Sequence, residues 1–227
     1  MQGKVVLITG AKGGLGTDVT EAFIRAGATV VGTSRSIQQA DFDGDNFTAI
    51  SADITQADAT RELVAKVVKR FGRIDVLVHV MGGFAAAAIH ETDDETWNKM
   101  RDMNTTAGFY IAREVIRAMR ASSGGRIIAI GSLAATEPHA GLGAYVASKS
   151  ALTALFRTIA LENLDAGITS NVILPGTMDT AANRKAMPDA DPSKWVKPED
   201  VAKITVTLAG DGGAQINGAV IPVYGRD

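Results

Sequence analysis

The sequence predicts an α/β chain whose open, seven-stranded, mostly parallel sheet is doubly wound, with helices on both faces. Three observations carry this. Short β-branched runs alternate with longer stretches of helical periodicity, the signature of successive βαβ units. The strand-like runs are apolar almost throughout, as in strands covered on both faces, rather than alternating apolar and polar. The 227 residues are 46% hydrophobic and 21% charged, with 24 Gly and 6 Pro. That is an ordinary globular composition, in a chain long enough to hide roughly 70–75% of its open surface on folding.

Taken in order, Val5–Thr9 reads as the first strand and Leu15–Ala26 as an amphipathic helix stopped by Gly27, the residue type that most easily ends a helix. Thr29–Thr33 and Phe47–Ala52 are the second and third strands. Only thirteen residues, Ser34–Asn46, join them; a full crossover helix barely fits in that length, so a loop or single turn is expected there. Thr60–Phe71 is helical and ends at Gly72, and Asp75–Val80 is the fourth strand. Asp93–Met119 reads as one long helix with Thr92 or Asp93 as its N-cap; the acids Glu91, Asp93, Asp94 and Glu95 suit a helix N-terminus. Arg126–Ile130 is a strand, Ala144–Leu164 a helix and Thr169–Leu174 a sixth strand. Pro198 opens the last helix, where its missing N–H costs nothing, and Gly218–Val223 closes as the seventh strand. No repeat, low-complexity tract or linker divides the chain, so residues 1–227 read as one domain. The long segment 177–197 after the sixth strand lies where such sheets place substrate loops.

Charge and composition exclude several functions. The 23 basic and 25 acidic side chains leave a formal charge of −2, so no overall field favours nucleic acid or an anionic membrane. No apolar run approaches the roughly 18 residues of a membrane-spanning helix. Met1-Gln2-Gly3-Lys4 leads straight into the first strand, leaving no room for a secretory signal. The absence of cysteine excludes thiolate catalysis, thiolate metal sites and disulfides. His79, His90 and His139 share no metal-ligand spacing, so no metal is expected. The expectation is a cytoplasmic enzyme or binder acting on a small molecule.

The chemistry is concentrated in two places. Thr9-Gly10-Ala11-Lys12-Gly13-Gly14-Leu15-Gly16 follows the first strand and opens the first helix. Glycines at 10, 14 and 16 permit a tight turn, close approach of backbone to a pyrophosphate and helix-on-sheet contact, while the helix N-terminus offers free amides to phosphate. At the end of the second strand, where an NAD site carries an acid, the run is Gly32-Thr33-Ser34-Arg35-Ser36. Nothing there repels a 2′-phosphate and Arg35 can pair with one, so NADP is favoured over NAD. Lys12 adds to that anion site if its side chain folds inward. Asp53-Ile54 stands where an adenine would lie, although Asp53 equally suits the cap of the following helix. The second place is Tyr145-Val146-Ala147-Ser148-Lys149, a phenol and an ammonium one turn apart, with Ser132 thirteen residues earlier and Asn104 in the long helix. A tyrosine tuned from its usual pKa of about 10 toward neutrality can give a proton to a carbonyl oxygen, with Ser132 donating to the same oxygen.

With these residues in place, the chain resembles the short-chain dehydrogenase/reductase family over essentially its whole length. Thr9-Gly10-x-x-x-Gly14-x-Gly16 matches the cofactor motif, Asn104, Ser132, Tyr145 and Lys149 match the catalytic tetrad, and Asn171-x-x-x-Pro175-Gly176-x-x-x-Thr180 matches the segment beside the nicotinamide. The resemblance implies a Rossmann-type fold and a carbonyl reductase with Tyr145 as general acid/base. Lys149 would lower its pKa and hold the nicotinamide ribose, Ser132 would polarise the substrate carbonyl, and Asn104 would order a proton-relay water. It further implies that Thr180 meets the carboxamide, Asp53 the adenine and Arg35 the 2′-phosphate, and that Gly82 lies beside the adenosine ribose. A homodimer or homotetramer through the helices bearing Asn104 and Tyr145 is also implied. Two departures stand out. The family's Asn-Asn-Ala-Gly is replaced by His79-Val80-Met81-Gly82-Gly83, so an asparagine that ties neighbouring strands is lost, and the basic residue of the glycine loop, Lys12, sits one place early. The segment Thr177–Asp191, with Trp195, is similar to quinonoid dihydropteridine reductases, which keeps that substrate as an alternative. A non-catalytic NADP-binding sensor or scaffold is the alternative of another class. Phe84, Met178, Met187 and Trp195 are candidates for the pocket or for the core, His139 for the substrate mouth or a loop contact, and His79 reads as a packed strand end.

Overall fold

The computed structural model describes residues 1–122 and 124–226. It contains one sheet in the order β3-β2-β1-β4-β5-β6-β7, formed by β1 (Val5–Thr9), β2 (Thr29–Thr33), β3 (Phe47–Ala49), β4 (Val76–His79), β5 (Gly125–Ile130), β6 (Ile168–Pro175) and β7 (Val220–Val223). Every neighbouring pair is parallel, in keeping with the expected mostly parallel sheet. The helices are α1 (Gly14–Arg25), α2 (Ala57–Phe71), α3 (Asp94–Met100), α4 (Ala107–Arg120), α5 (Gly143–Glu162), α6 (Ala181–Ala186) and α7 (Pro198–Ala209).

Because successive strand residues point to opposite faces, each apolar strand feeds two cores at once. Leu7, Leu77, Ile127 and Val172 pack with Leu63 of α2, Ile111 of α4 and Leu152 and Phe156 of α5. Their neighbours Val6, Ile8, Val78, Ile128 and Ile173 pack with Val19 and Phe23 of α1 and Val201 and Leu208 of α7. This double burial is why the strands read as unbroken apolar runs.

Two connections differ from an ideal βα repeat. Between β2 and β3 there is only one 3₁₀ turn, Gln39–Asp41, in keeping with the short spacing. The Gln39 amide donates to Phe47 O at 2.9 Å and its oxygen accepts from Ala49 N at 3.1 Å, so a side chain covers part of the edge strand that a crossover helix would otherwise cover. The long helix expected over Asp93–Met119 is helical throughout but not uniform. Asp93 caps α3 by accepting from Thr96 N at 2.7 Å, and a π-helical segment, Arg101–Thr106, separates α3 from α4. Such segments widen a helix by one residue per turn and concentrate at functional sites.

From β1 the chain runs to β2 on one side, and β4 pairs with β1 on the other. This reversal opens a crevice at the carboxyl ends of β1 and β4, the place where open α/β sheets bind ligands.

Candidate active site

The crevice holds a cleft of about 860 Å³. One end is lined by Gly10, Lys12, Gly13, Gly14, Leu15 and Gly16 with Thr33, Ser34 and Arg35 from the end of β2. The glycines are required by space: a Cβ on Gly16 would fall on the Gly10 carbonyl oxygen, and one on Gly10 would meet the Met81 backbone at 2.8 Å. Gly10 also has φ +67°, in the left-handed region that favours glycine. No side chain caps α1 and no acid lies in its first turn, which leaves the first-turn amides facing the cleft without intrahelical acceptors.

The residues implied for the cofactor fit a dinucleotide there. Thr33 Oγ1 and Ser34 Oγ are buried and without hydrogen-bond partners, an arrangement that a ribose hydroxyl or phosphate oxygen completes. Among the described residues lining the cleft, Asp53 is the only acid. One of its carboxylate oxygens accepts from Thr55 N at 3.0 Å and Thr55 Oγ1 at 2.7 Å, so Asp53 both holds the turn before α2 and borders the cleft, combining its two readings. Ile54 is buried in the core while also bordering the cleft. Lys12 departs from expectation, since its ammonium is paired with Asp41 at 2.9 Å and bonds Ser36 O at 3.4 Å. Arg35 is exposed beside it.

The other end of the cleft is built on α5. Tyr145 and Lys149 share one helix face and both line the cleft. Lys149 is buried, and its Nζ donates to Ile130 O at the end of β5 at 3.0 Å. Burial brings its pKa down to about 8. Burial pushes the Tyr145 phenol above its usual value, while a hydrogen bond with the Ser132 side chain pulls it back. Lys149 is not among the groups that shift this phenol here, its ammonium being directed at the Ile130 carbonyl. Ser132 reaches the phenol from outside the cleft lining, and its Oγ accepts from Ala134 N at 3.3 Å.

Asn104 is fully buried in the π segment. Its Oδ1 accepts from Gly83 N at 2.9 Å, and its Nδ2 donates to Gly83 O at 3.1 Å and Ser148 Oγ at 2.9 Å. Ser148 Oγ in turn donates to Tyr145 O at 2.8 Å, and Thr105 Oγ1 donates to Ser148 O at 2.9 Å. The Asn104 carboxamide thus clamps Gly83 to the catalytic helix. A Cβ on Gly82 would meet Asn104 Oδ1 at 2.7 Å and Lys149 Nζ at 2.9 Å, so a side chain there would displace both site residues.

Several predicted residues lie apart from the lining. Thr9 is buried beneath it, its Oγ1 accepting from Met81 N at 3.3 Å and lying 2.9 Å from His79 Nδ1. His79 therefore supplies a tie between β1 and β4 in place of the lost asparagine, and burial drives its pKa to about 3, which keeps the ring neutral. Pro175 and Gly176 stand at the end of β6, outside the lining, while Met178 and Thr180 border it. Trp195 is buried, Met187 is partly exposed, and neither they nor the exposed His139 line the cleft. Sequence reasoning missed Met103, Gly83 and Asn183, all of which do. Met103 comes in through the π segment, which periodicity does not reveal. Among the described residues no group of three or more His or acidic side chains is placed to hold a metal ion, and no helix is long and apolar enough to cross a membrane.

A doubly wound parallel sheet with a glycine-lined cleft at its switch point, and a half-buried phenol one helical turn from a buried ammonium, defines a nicotinamide-dependent oxidoreductase. The chain belongs to the short-chain dehydrogenase family, whose model matches residues 4–191. It is 30% identical to the 2-dehydro-3-deoxy-D-gluconate 5-dehydrogenase of Pseudoalteromonas atlantica, covering 99% of this chain and 96% of that one. It is also 30% identical to the 3-oxoacyl-(acyl-carrier-protein) reductase FabG of Escherichia coli, covering 99% and 97%. Among solved structures, a short-chain type dehydrogenase/reductase from Mycobacterium ulcerans superposes with a TM-score of 0.93 at 29% identity, over 99% of this chain and 90% of that one. The ligand-free aldohexose dehydrogenase of Thermoplasma acidophilum gives 0.90 at 27% identity, over 99% and 94%.

Proposed function

We propose that this enzyme reduces a carbonyl compound of the ketone, aldehyde or 3-oxoacyl class with NADPH, with Tyr145 as the proton donor. The observation that carries the reading is one cleft bordered at one end by the glycine loop and Arg35 and at the other by Tyr145 and Lys149, with Ser132 against the phenol. The nicotinamide, when bound, supplies a hydride to the carbonyl carbon. Tyr145 Oη gives its proton to the carbonyl oxygen, so a ketone becomes a secondary alcohol and the phenol a phenolate. Ser132 donates a hydrogen bond where that negative charge develops. Lys149 holds a positive charge near the cofactor ribose, and Asn104 fixes Gly83 and the Tyr145 turn. The test is NADPH consumption with ketones, aldehydes and a 3-oxoacyl thioester. Consumption confined to a quinonoid dihydropteridine moves the enzyme to that class, and tight NADPH binding without any turnover makes it a sensor.

Arg35 is the residue we assign to the 2′-phosphate, supported by the absence of an acid at the end of β2. Arg35→Ala is expected to weaken NADPH binding about tenfold or more, since a charge-assisted hydrogen bond is worth about 1.5–3 kcal/mol, with little change for NADH. Fluorescence titration with both coenzymes checks this, and equal losses reject the assignment.

The pH dependence follows from the buried pair. The phenol, raised by burial, keeps its proton through the neutral range. Lys149 is charged below about 8 and neutral above it. The kcat/KM for reduction, which reports the free enzyme, is expected to be level near neutrality and to fall as the pH rises past about 8. Lys149→Arg keeps the charge and is expected to move that fall upward, a shift read directly from the two pH profiles.

We further assign a homo-oligomer formed through α4 and α5, whose outer faces expose Phe109 and Leu161, and a cytoplasmic location. Residues 1–227 act as a single domain in this reading.

A further inference from the structure

The catalytic end of the cleft has a wall that the chemistry of hydride transfer does not require. Phe84 follows Gly82 and Gly83 and borders the cleft. Its ring stands edge-on to the Tyr145 ring, centroids 5.0 Å apart and planes at 69°, yet 64% of it is exposed. The backbone that carries it is fixed. Asn104 holds Gly83 by two hydrogen bonds, and Ala87 N donates to Gly141 O at 2.8 Å in a short β-bridge that ties this segment to the loop before α5. A rigidly placed, uncovered aromatic face beside the proton donor gains free energy when a flat apolar group covers it.

The rest of this end agrees. Met103 and Met178 border it, and thioethers adapt to and attract aromatic rings. Among the described residues lining the cleft, the only cations besides buried Lys149 are Lys12 and Arg35. Lys12 is held by Asp41, Arg35 lies at the opposite end, and Arg184 of α6 is committed to Asp179 by two bonds of 2.5 and 2.8 Å. Asn183, the polar side chain that α6 adds to the lining, has its Nδ2 bonded to Met178 O at 2.8 Å. An anionic sugar acid such as the one named for the Pseudoalteromonas relative finds no partner in this wall.

We propose that Phe84 selects the substrate, and that the substrate is an uncharged, flat, conjugated carbonyl compound whose ring lies against Phe84 while its oxygen meets Tyr145. This rests on the carbonyl-reductase reading and narrows it. The test compares 9,10-phenanthrenequinone and 2,3-butanedione with NADPH, and 2-dehydro-3-deoxy-D-gluconate with NADP⁺ as hydride acceptor, in the wild type and in Phe84→Ala and Phe84→Trp. It adds calorimetric titration of the quinone into the NADP⁺ complexes of the wild type and of Phe84→Ala, which bind without turnover. The expected result is a wild-type preference for the quinone over the butanedione, and for both over the sugar acid. The quinone-to-butanedione ratio of kcat/KM should fall about tenfold or more in Phe84→Ala, through KM, and be retained in Phe84→Trp. A ratio that does not move in Phe84→Ala, or a preference for the sugar acid, overturns the inference while leaving a carbonyl reductase. Calorimetric binding of the quinone that depends on Phe84, with no carbonyl reduced, supports the inference about the wall and removes the reductase reading instead.

Discussion

Replacing Tyr145 by phenylalanine is expected to lower kcat about a thousandfold while NADPH still binds. General acid–base groups contribute roughly 10²–10⁴-fold, and a thousandfold loss corresponds to about 4 kcal/mol of activation free energy. The substitution removes one oxygen and keeps the ring, so the edge contact with Phe84 and the packing of α5 remain. The backbone carbonyl of residue 145 still accepts from Ser148 Oγ, which preserves the link to Asn104. Steady-state turnover and a coenzyme titration on the same preparation separate the effects. Turnover that survives the change removes Tyr145 from the mechanism, whereas a parallel loss of NADPH binding makes its role positional.

The second large effect is expected at the opposite end of the cleft, with Gly16→Ala. The new methyl group would land on the Gly10 carbonyl oxygen and within 2.9–3.0 Å of the Gly10 and Ala11 carbonyl carbons. These are backbone atoms, so the turn itself must move. Overpacking of this kind costs about 1–3 kcal/mol in stability, and a displaced turn no longer presents the first-turn amides of α1 to a pyrophosphate. We expect a lower Tm and an NADPH affinity weakened more than about tenfold. Gly212→Ala, where the added carbon meets only Thr207 Cγ2 at 3.4 Å among close contacts and lies far from the cleft in sequence and fold, is the control and should leave both values near the wild type.

Much of the fold was legible because its physics is local or periodic. Double-sided burial forces unbroken apolar strands, and all seven strands fall within a few residues of their predicted places. The one strand that came out distinctly shorter is β3, read over Phe47–Ala52 and observed over Phe47–Ala49. It is an edge strand with a single neighbour; its paired register stops at Gly32 and Ala49, although Ile50 N and Ala52 N still donate to Gly32 O and Ser34 O at 3.0 and 3.3 Å. The short spacing between β2 and β3 pointed to a loop or single turn, because a crossover helix barely fits in thirteen residues, and a single 3₁₀ turn is what forms there. The glycine loop was legible for a similar reason, since only glycine tolerates the approach of Gly16 to Gly10.

The candidate site was legible as a set of residue types but not as a set of contacts. The spacing of Tyr145 and Lys149 put them on one helix face, yet nothing in that spacing shows Lys149 turning to the Ile130 carbonyl. Asn104 was singled out, but its clamp on Gly83 and Ser148 depends on the π segment, whose extra residue leaves no periodic trace. Lys12 was read as a phosphate ligand from a loop position, and the fold instead brings Asp41, twenty-nine residues away, to pair with it. His79 looked like the loss of a strand tie, and only the β1–β4 register, with Thr9 opposite His79, shows that it forms one.

By itself, then, the sequence determined the parallel sheet, the order of its elements, the glycine cradle and the phenol–ammonium pair, because each is set by side-chain size, periodicity or helical spacing within a few residues. The tertiary structure alone decided which of the charged and polar groups remain available to a ligand. Partners such as Asp41, Ile130, Gly83 and Ser148 come from distant parts of the chain, and a side chain's charge serves a ligand only when no neighbour brought in by the fold has already taken it.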